Sequence, residues 1–121
     1  MVLVKNGKNW VRDLMVGNTT NVVNQAGLGT DATTPAETQT GLNNNTNFGT
    51  AGTVKAISKN TADKQIVYSY TLTATEGNGS TYKEFGLSSS TGSFLFNRQT
   101  FADLPKTSAE QLDFTLAVSI E

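Results

Sequence analysis

Neither cysteine nor histidine occurs among the 121 residues of this chain, and the two absences remove most familiar catalytic and metal-binding arrangements. Without cysteine there is no disulfide, no thiol nucleophile and no zinc ligand pattern. Without histidine the commonest general base and the commonest metal ligand are gone. A cysteine-free protein is also indifferent to redox state, so it can assemble in cytoplasm and persist outside a cell. Charge is scarce as well: nine Lys and Arg against ten Asp and Glu leave a net charge of −1. That balance gives no basic footprint for phosphate, and nucleic acid is not an expected partner. No run approaches the ~18–20 apolar residues that cross a bilayer, so no membrane partner is expected. The opening Met1-Val2-Leu3-Val4-Lys5 lacks the apolar stretch of a secretion signal, which predicts a chain made and used without secretion.

What is present is polar and turn-rich. Hydrophobic residues make up 36% of the chain and only two prolines occur, while Thr, Asn, Ser and Gly abound. This describes long polar loops around a thin apolar layer in one domain. The clearest order lies at residues 112–121, where Leu112, Phe114, Leu116, Val118 and Ile120 share one face and Asp113, Thr115, Ser119 and Glu121 the other. A period of two marks a half-buried β-strand, spanning roughly 30 Å at ~3.3 Å per residue.

The same reading along the chain divides it into three stretches of one domain. Residues 1–17 form an N-terminal hairpin or docking segment, because Asn6-Gly7 sits between apolar runs as in a hairpin turn, and Trp10 is either an anchor on another subunit or a cap on the chain's own core. Residues 18–52 form one long Thr/Asn/Gly-rich loop with little sheet core; a loop this long is usually functional or pinned by a partner. Residues 53–121 hold the core strands, at 54–58, 65–74, 82–87, 94–101 and 112–121. Turns fall at 60–63, 76–80 and 88–92, and Pro105 marks a bend in the 102–109 connection. Helix is nearly absent. The fold class is all-β: a two-sheet antiparallel β-sandwich, Ig-like or jelly-roll, with a long polar loop in the N-terminal half. Its core should take Tyr70, Leu72, Phe85, Leu87, Leu95 or Phe96, Phe114, Leu116, Val118 and Ile120.

Carboxylates are the remaining candidates for chemistry, and Asp31, Glu37, Glu76, Glu84, Asp103 and Glu110 are scattered. No pair shows the facing arrangement a glycosidase needs. Gly27-Leu28-Gly29-Thr30-Asp31 has glycines but no following Lys-Ser/Thr, so it reads as a tight turn rather than a phosphate loop. Asp31, Thr33 and Glu37 lack the alternating acids of a calcium loop. No enzyme activity, cofactor or metal is expected. Asn18-Thr19-Thr20, Asn44-Asn45-Thr46 and Asn78-Gly79-Ser80 fit the glycan acceptor pattern but read as turn composition. Tyr68, Tyr70 and Tyr82 suit cross-strand packing, with a sugar-stacking platform as the alternative.

The order of several short motifs resembles small structural proteins of tailed bacteriophages and related viruses. These are the Gly-Thr-rich stretch from Ala26 to Pro35, Leu42, the strand Tyr82-Lys83-Glu84-Phe85-Gly86-Leu87, Leu95-Phe96-Asn97-Arg98, Lys106-Thr107 and the closing amphipathic strand. The resemblance implies a non-enzymatic virion component, of capsid-decoration, neck or tail-appendage type. It would dock on capsid, neck or tail subunits, self-associate as a homo-oligomer, and reside in the virion after assembly in the host cytoplasm. The alternative is a receptor- or carbohydrate-binding module of a tail fibre. Under the virion reading Gly86 admits close approach of a neighbouring backbone or ring, and Arg98 and Lys106 either pair with Glu84 or Asp103 to fix the strand corner or stand solvated and independent.

Overall fold

The computed structural model describes residues 2–42, 48–90 and 94–120. The expected strand ends and acceptor motif at Met1, Asn44-Asn45-Thr46, Thr91-Gly92 and Glu121 lie outside the described residues. In chain order the elements are β1 (Val2–Leu3), α1 (Lys5–Met15), β2 (Gln25–Gly29), β3 (Lys55–Ala56), β4 (Ser58–Ala62), β5 (Gln65–Leu72), β6 (Thr81–Ser88), β7 (Asn97–Pro105) and β8 (Leu112–Ser119). They form two antiparallel sheets, one ordered β1-β7-β6-β2-β3 and the other β4-β5-β8. The all-β, two-sheet class read from the sequence is the one observed.

The sheets meet through aromatic rings. Tyr70 and Phe114 project from the three-stranded sheet onto Phe85 and Phe101 of the five-stranded sheet. Phe85 stacks on Phe114 with centroids 5.3 Å apart, and Tyr70 meets Phe85 edge-on at 5.6 Å, both favourable aromatic arrangements. Alternation in β5 and β8 puts Tyr68, Tyr70 and Leu72 on the buried face of one strand and Leu112, Phe114, Leu116 and Val118 on the matching face of the other. Ile120 departs from the expected core: it lies past the end of β8 and is 65% exposed.

Strand β6 is buried on both faces. Phe85 and Leu87 join the inter-sheet core, while Glu84 and Gly86 face the opposite way, toward residues 30–42 and 48–53, which cover the outer side of the larger sheet. There Val4, Leu42 and Leu95 make a second small apolar cluster with Phe48 against it. Gly86 is what lets this cover approach, since a Cβ there would sit 2.9 Å from the Asn97 carbonyl and 3.0 Å from a Leu42 methyl.

Three sequence expectations are corrected. First, residues 18–52 are not free of sheet core: Ala26, Gly27, Leu28 and Gly29 are buried in β2, a central strand of the larger sheet. Its Gln-Ala-Gly-Leu-Gly sequence shows no alternation because both faces are covered. Second, Pro105 does not make the bend; it closes β7, opposite Thr81. Third, the N-terminal hairpin is an α-helix. Gly7 is not a turn residue there but a contact residue, buried so closely that a Cβ would overlap the carbonyl oxygen of Phe96. The helix has no side-chain cap at Val4. Its first free N–H, on Lys5, donates instead to the Glu37 carbonyl at 2.8 Å. It ends in a Schellman motif, with Gly17 at φ 76° and the Asn18 N–H donating to Asp13 O at 2.8 Å.

A Gly→Ala change inside a helix ordinarily stabilises by ~0.5–1 kcal/mol. Gly7→Ala should do the reverse, lowering stability in urea unfolding by about 1–3 kcal/mol, because the methyl group has only backbone to displace.

Candidate functional surface and the buried ionic staple

Every residue singled out from the sequence as a partner contact or motif residue is buried: Trp10, Tyr82, Glu84, Phe85, Gly86, Leu87, Arg98 and Lys106. The structure makes them the interior that shapes the surface, not the surface itself. Trp10 packs its ring edge-on to Phe96 at 5.8 Å and against Phe94 at 6.1 Å, while its indole N–H donates to the Asn21 carbonyl at 2.7 Å. It anchors α1 to its own sheet, so of the two expected roles the core cap is the one observed and the contact on another subunit is not.

Glu84 and Arg98 are brought together, both fully buried, with Nε donating to the carboxylate at 2.5 Å. Neighbouring strands β6 and β7 bring the two side chains to the same face. The remaining guanidinium donors reach into the long loop: Nη1 to the Thr33 carbonyl at 2.6 Å and the Gln39 amide oxygen at 3.3 Å, and Nη2 to the Asp31 carbonyl at 2.9 Å. A planar fork that satisfies one carboxylate and two backbone carbonyls is a geometry Lys could not reproduce. Asp31 itself accepts from the Thr33 N–H and hydroxyl, and these bonds hold its carboxyl below the usual range. Asp31, Thr33 and Glu37 therefore do not converge as metal ligands; Glu37 pairs with Lys8 across to α1.

Lys106 is stapled elsewhere and not to a carboxylate. Its ammonium donates to Asn78 Oδ1 at 2.7 Å and the Thr107 carbonyl at 3.0 Å, tying the end of β7 to the loop before β6. The expected pairing with Glu84 or Asp103 holds for Arg98 with Glu84 alone; the exposed Asp103 lies 3.9 Å from the half-buried Lys83. Glu76 in that loop accepts from Lys55 Nζ at 2.6 Å and from the Thr73 N–H and hydroxyl. Lys55 first, then Thr73, lowers its carboxyl to about 2. The three tyrosines are interior, with Tyr70 donating to the Thr53 carbonyl at 2.5 Å and Tyr82 to Gly77. Burial pushes all three hydroxyls above the usual phenol range, and a tyrosine platform for sugar stacking is thereby removed.

The surface carries two features that the sequence reading missed. On α1 the apolar stripe continues past Trp10 toward the C-terminus, leaving Val11 38%, Leu14 40%, Met15 82% and Val16 65% exposed. Residues 7, 10, 11, 14 and 15 fall on one helical face, a spacing of three and four that was legible once helix rather than strand was assumed. Between the sheets, beside β8, lies a cleft of about 170 Å³ lined by Phe85, Gln99, Phe101, Phe114, Thr115 and Leu116. Among the described residues no three His, Cys, Asp or Glu side chains are placed to hold a metal, and no helix is long and apolar enough to cross a membrane.

Comparison of the chain with protein-family models, with curated proteins and with solved structures returns no match in any of the three.

Removing either partner of the buried pair, as Glu84→Gln or Arg98→Met, should cost about 3–5 kcal/mol in denaturant unfolding. The double change Glu84→Leu/Arg98→Met should recover part of that loss, since it leaves no lone buried charge. The Glu76 carboxylate adds stability above its unfolded value of 4.5, lost as pH falls toward about 2. Glu76→Gln should therefore lower the neutral plateau of the stability profile and flatten its acid limb between those two pH values, so that parent and variant converge toward pH 2.

Proposed function

We propose that this chain is a non-enzymatic structural subunit of a virion, of the tailed-bacteriophage kind its motif order resembles, working by docking on other virion proteins. The observation that carries the reading is the uncovered apolar end of α1. Val11, Leu14 and Met15 extend the same stripe that seats the helix on the sheet, and Phe94, itself part-exposed, packs beside Trp10 at that end. A contiguous apolar face on an otherwise Thr- and Asn-rich surface is the signature of a protein contact. The interior supports the reading: the ionic staple and two cores make a rigid body, so contact energy need not be spent on ordering it. Repeated copies on a particle convert modest single-site affinity into avidity. The fibre-tip alternative, a sugar-binding module, loses its tyrosine platform to the core.

Purified protein should co-sediment with particles assembled without it. Met15→Lys/Val16→Lys, at the two most exposed apolar positions of this end, should weaken that binding about tenfold or more while keeping the unfolding midpoint close to the parent's, since cations are favoured at a helix C-terminus. A protein that ignores such particles, or binds them equally well after the double change, overturns the proposal.

A further inference from the structure

Strand β8 lies at the edge of the three-stranded sheet, and its register on β5 decides which backbone groups remain to be used. Leu112 opposes Leu72 and Ser119 opposes Gln65, and the Ile120 N–H donates to the Lys64 carbonyl at 2.8 Å. Antiparallel pairing alternates, so Leu112, Phe114, Leu116, Val118 and Ile120 direct their N–H and C=O groups at β5. Asp113, Thr115, Ala117 and Ser119 direct theirs away from it. All four are exposed, and among the described residues no strand pairs with that side.

The other open edges carry the usual guards against strand addition. Strand β4 is exposed throughout and bears Lys59; the free part of β7 ends in Pro105. Strand β8 has no Lys and no Pro, and the half-buried faces of Phe114, Leu116 and Val118 run its whole length.

We propose that β8 pairs antiparallel with β8 of a second copy of this chain, about a two-fold axis at Leu116. This register pairs every residue from Leu112 to Ile120. Thr115 then exchanges both backbone bonds with the partner copy's Ala117, and Asp113 does so with its Ser119, giving about eight inter-strand bonds at two per such pair. On the inner face Phe114 meets Val118 and Leu112 meets the otherwise exposed Ile120, apolar against apolar in each case. Charge decides for a second copy as occupant. Asp113 is the sole charged residue of the stretch 112–120, and the two-fold sets it against a neutral hydroxyl instead of its own image. The cleft between Phe85, Phe101, Phe114 and Leu116 opens beneath the same edge, where the second copy's inner-face side chains arrive. A self-complementary edge of this kind makes a closed, isologous dimer rather than a filament. The inference goes beyond the proposed virion role and does not depend on it, because no particle enters it.

Light scattering on the full chain at about 100 μM, where even a weak stable dimer is populated, should give twice the 12.9 kDa protomer mass. Ala117→Pro removes an outward N–H that β5 does not use, and edge strands tolerate proline on that side. It should return the mass to one copy with an unchanged circular dichroism spectrum. Thr115→Lys, which places a charge on the seam, should do the same and decides the matter if the proline variant misfolds. Cysteine introduced into this cysteine-free chain reads the register. Thr115→Cys mixed with Ala117→Cys should cross-link on oxidation, since hydrogen-bonded pairs bring Cα atoms to about 5.5 Å, whereas neither variant alone should. A wild-type mass other than two copies, a doubled mass that survives both edge substitutions, or cross-linking by either variant alone as strong as in the mixture overturns the proposal.

Discussion

The guanidinium of Arg98 is the constraint on which the rest of this molecule depends. It sits fully buried beside Glu84 and spends its remaining donors on the carbonyls of Asp31 and Thr33 and the side chain of Gln39. A buried charge left without partners costs several kcal/mol, so once the strands bring Arg98 inside, the polar segment from Asp31 to Gln39 must follow. That segment in turn presents the Glu37 carbonyl to the first N–H of α1. One interior cation thus orders a loop that has few apolar residues of its own and sets where the helix begins.

The consequence is an unusual division of labour between the two sheets. The five-stranded sheet is covered on both sides, by the smaller sheet on one face and by residues 30–42 and 48–53 on the other, and it holds the buried pair of Glu84 and Arg98 together with buried Ser88 and Asn97. The three-stranded sheet has one wet face and two open edges. Rigidity resides in the first, and the surfaces suited to contact lie on the second and on the end of α1. Thin-core proteins rich in Thr and Asn bury little apolar area per residue, and here charge-assisted hydrogen bonds to backbone supply part of the order that a thicker core would otherwise provide.

Legibility followed alternation. Strands β5 and β8 were readable almost residue by residue, because each has one buried and one solvated face. Strand β2 was not, since Ala26, Gly27 and Leu28 are buried regardless of face and carry no period. Gly7 misled because Asn-Gly is a turn signal when the chain is read locally, whereas in the fold its missing side chain admits the Phe96 backbone against a helix. The chemistry of Glu84 with Arg98 was visible as a candidate pair. Its destination in the interior was not, because nothing in a sequence states that a charged strand face will be covered by a loop distant in the chain.

The amino-acid sequence by itself determined the all-β class, the two long strands and the absence of thiol and imidazole chemistry, since side-chain period and residue type are local properties. The tertiary structure alone decided that residues 5–15 are helical, that the singled-out residues are interior, and that β8 lies at an edge. Each of those depends on partners far along the chain: Glu37 for the helix start, residues 30–42 and 48–53 for the burial, and the strand order for the edge.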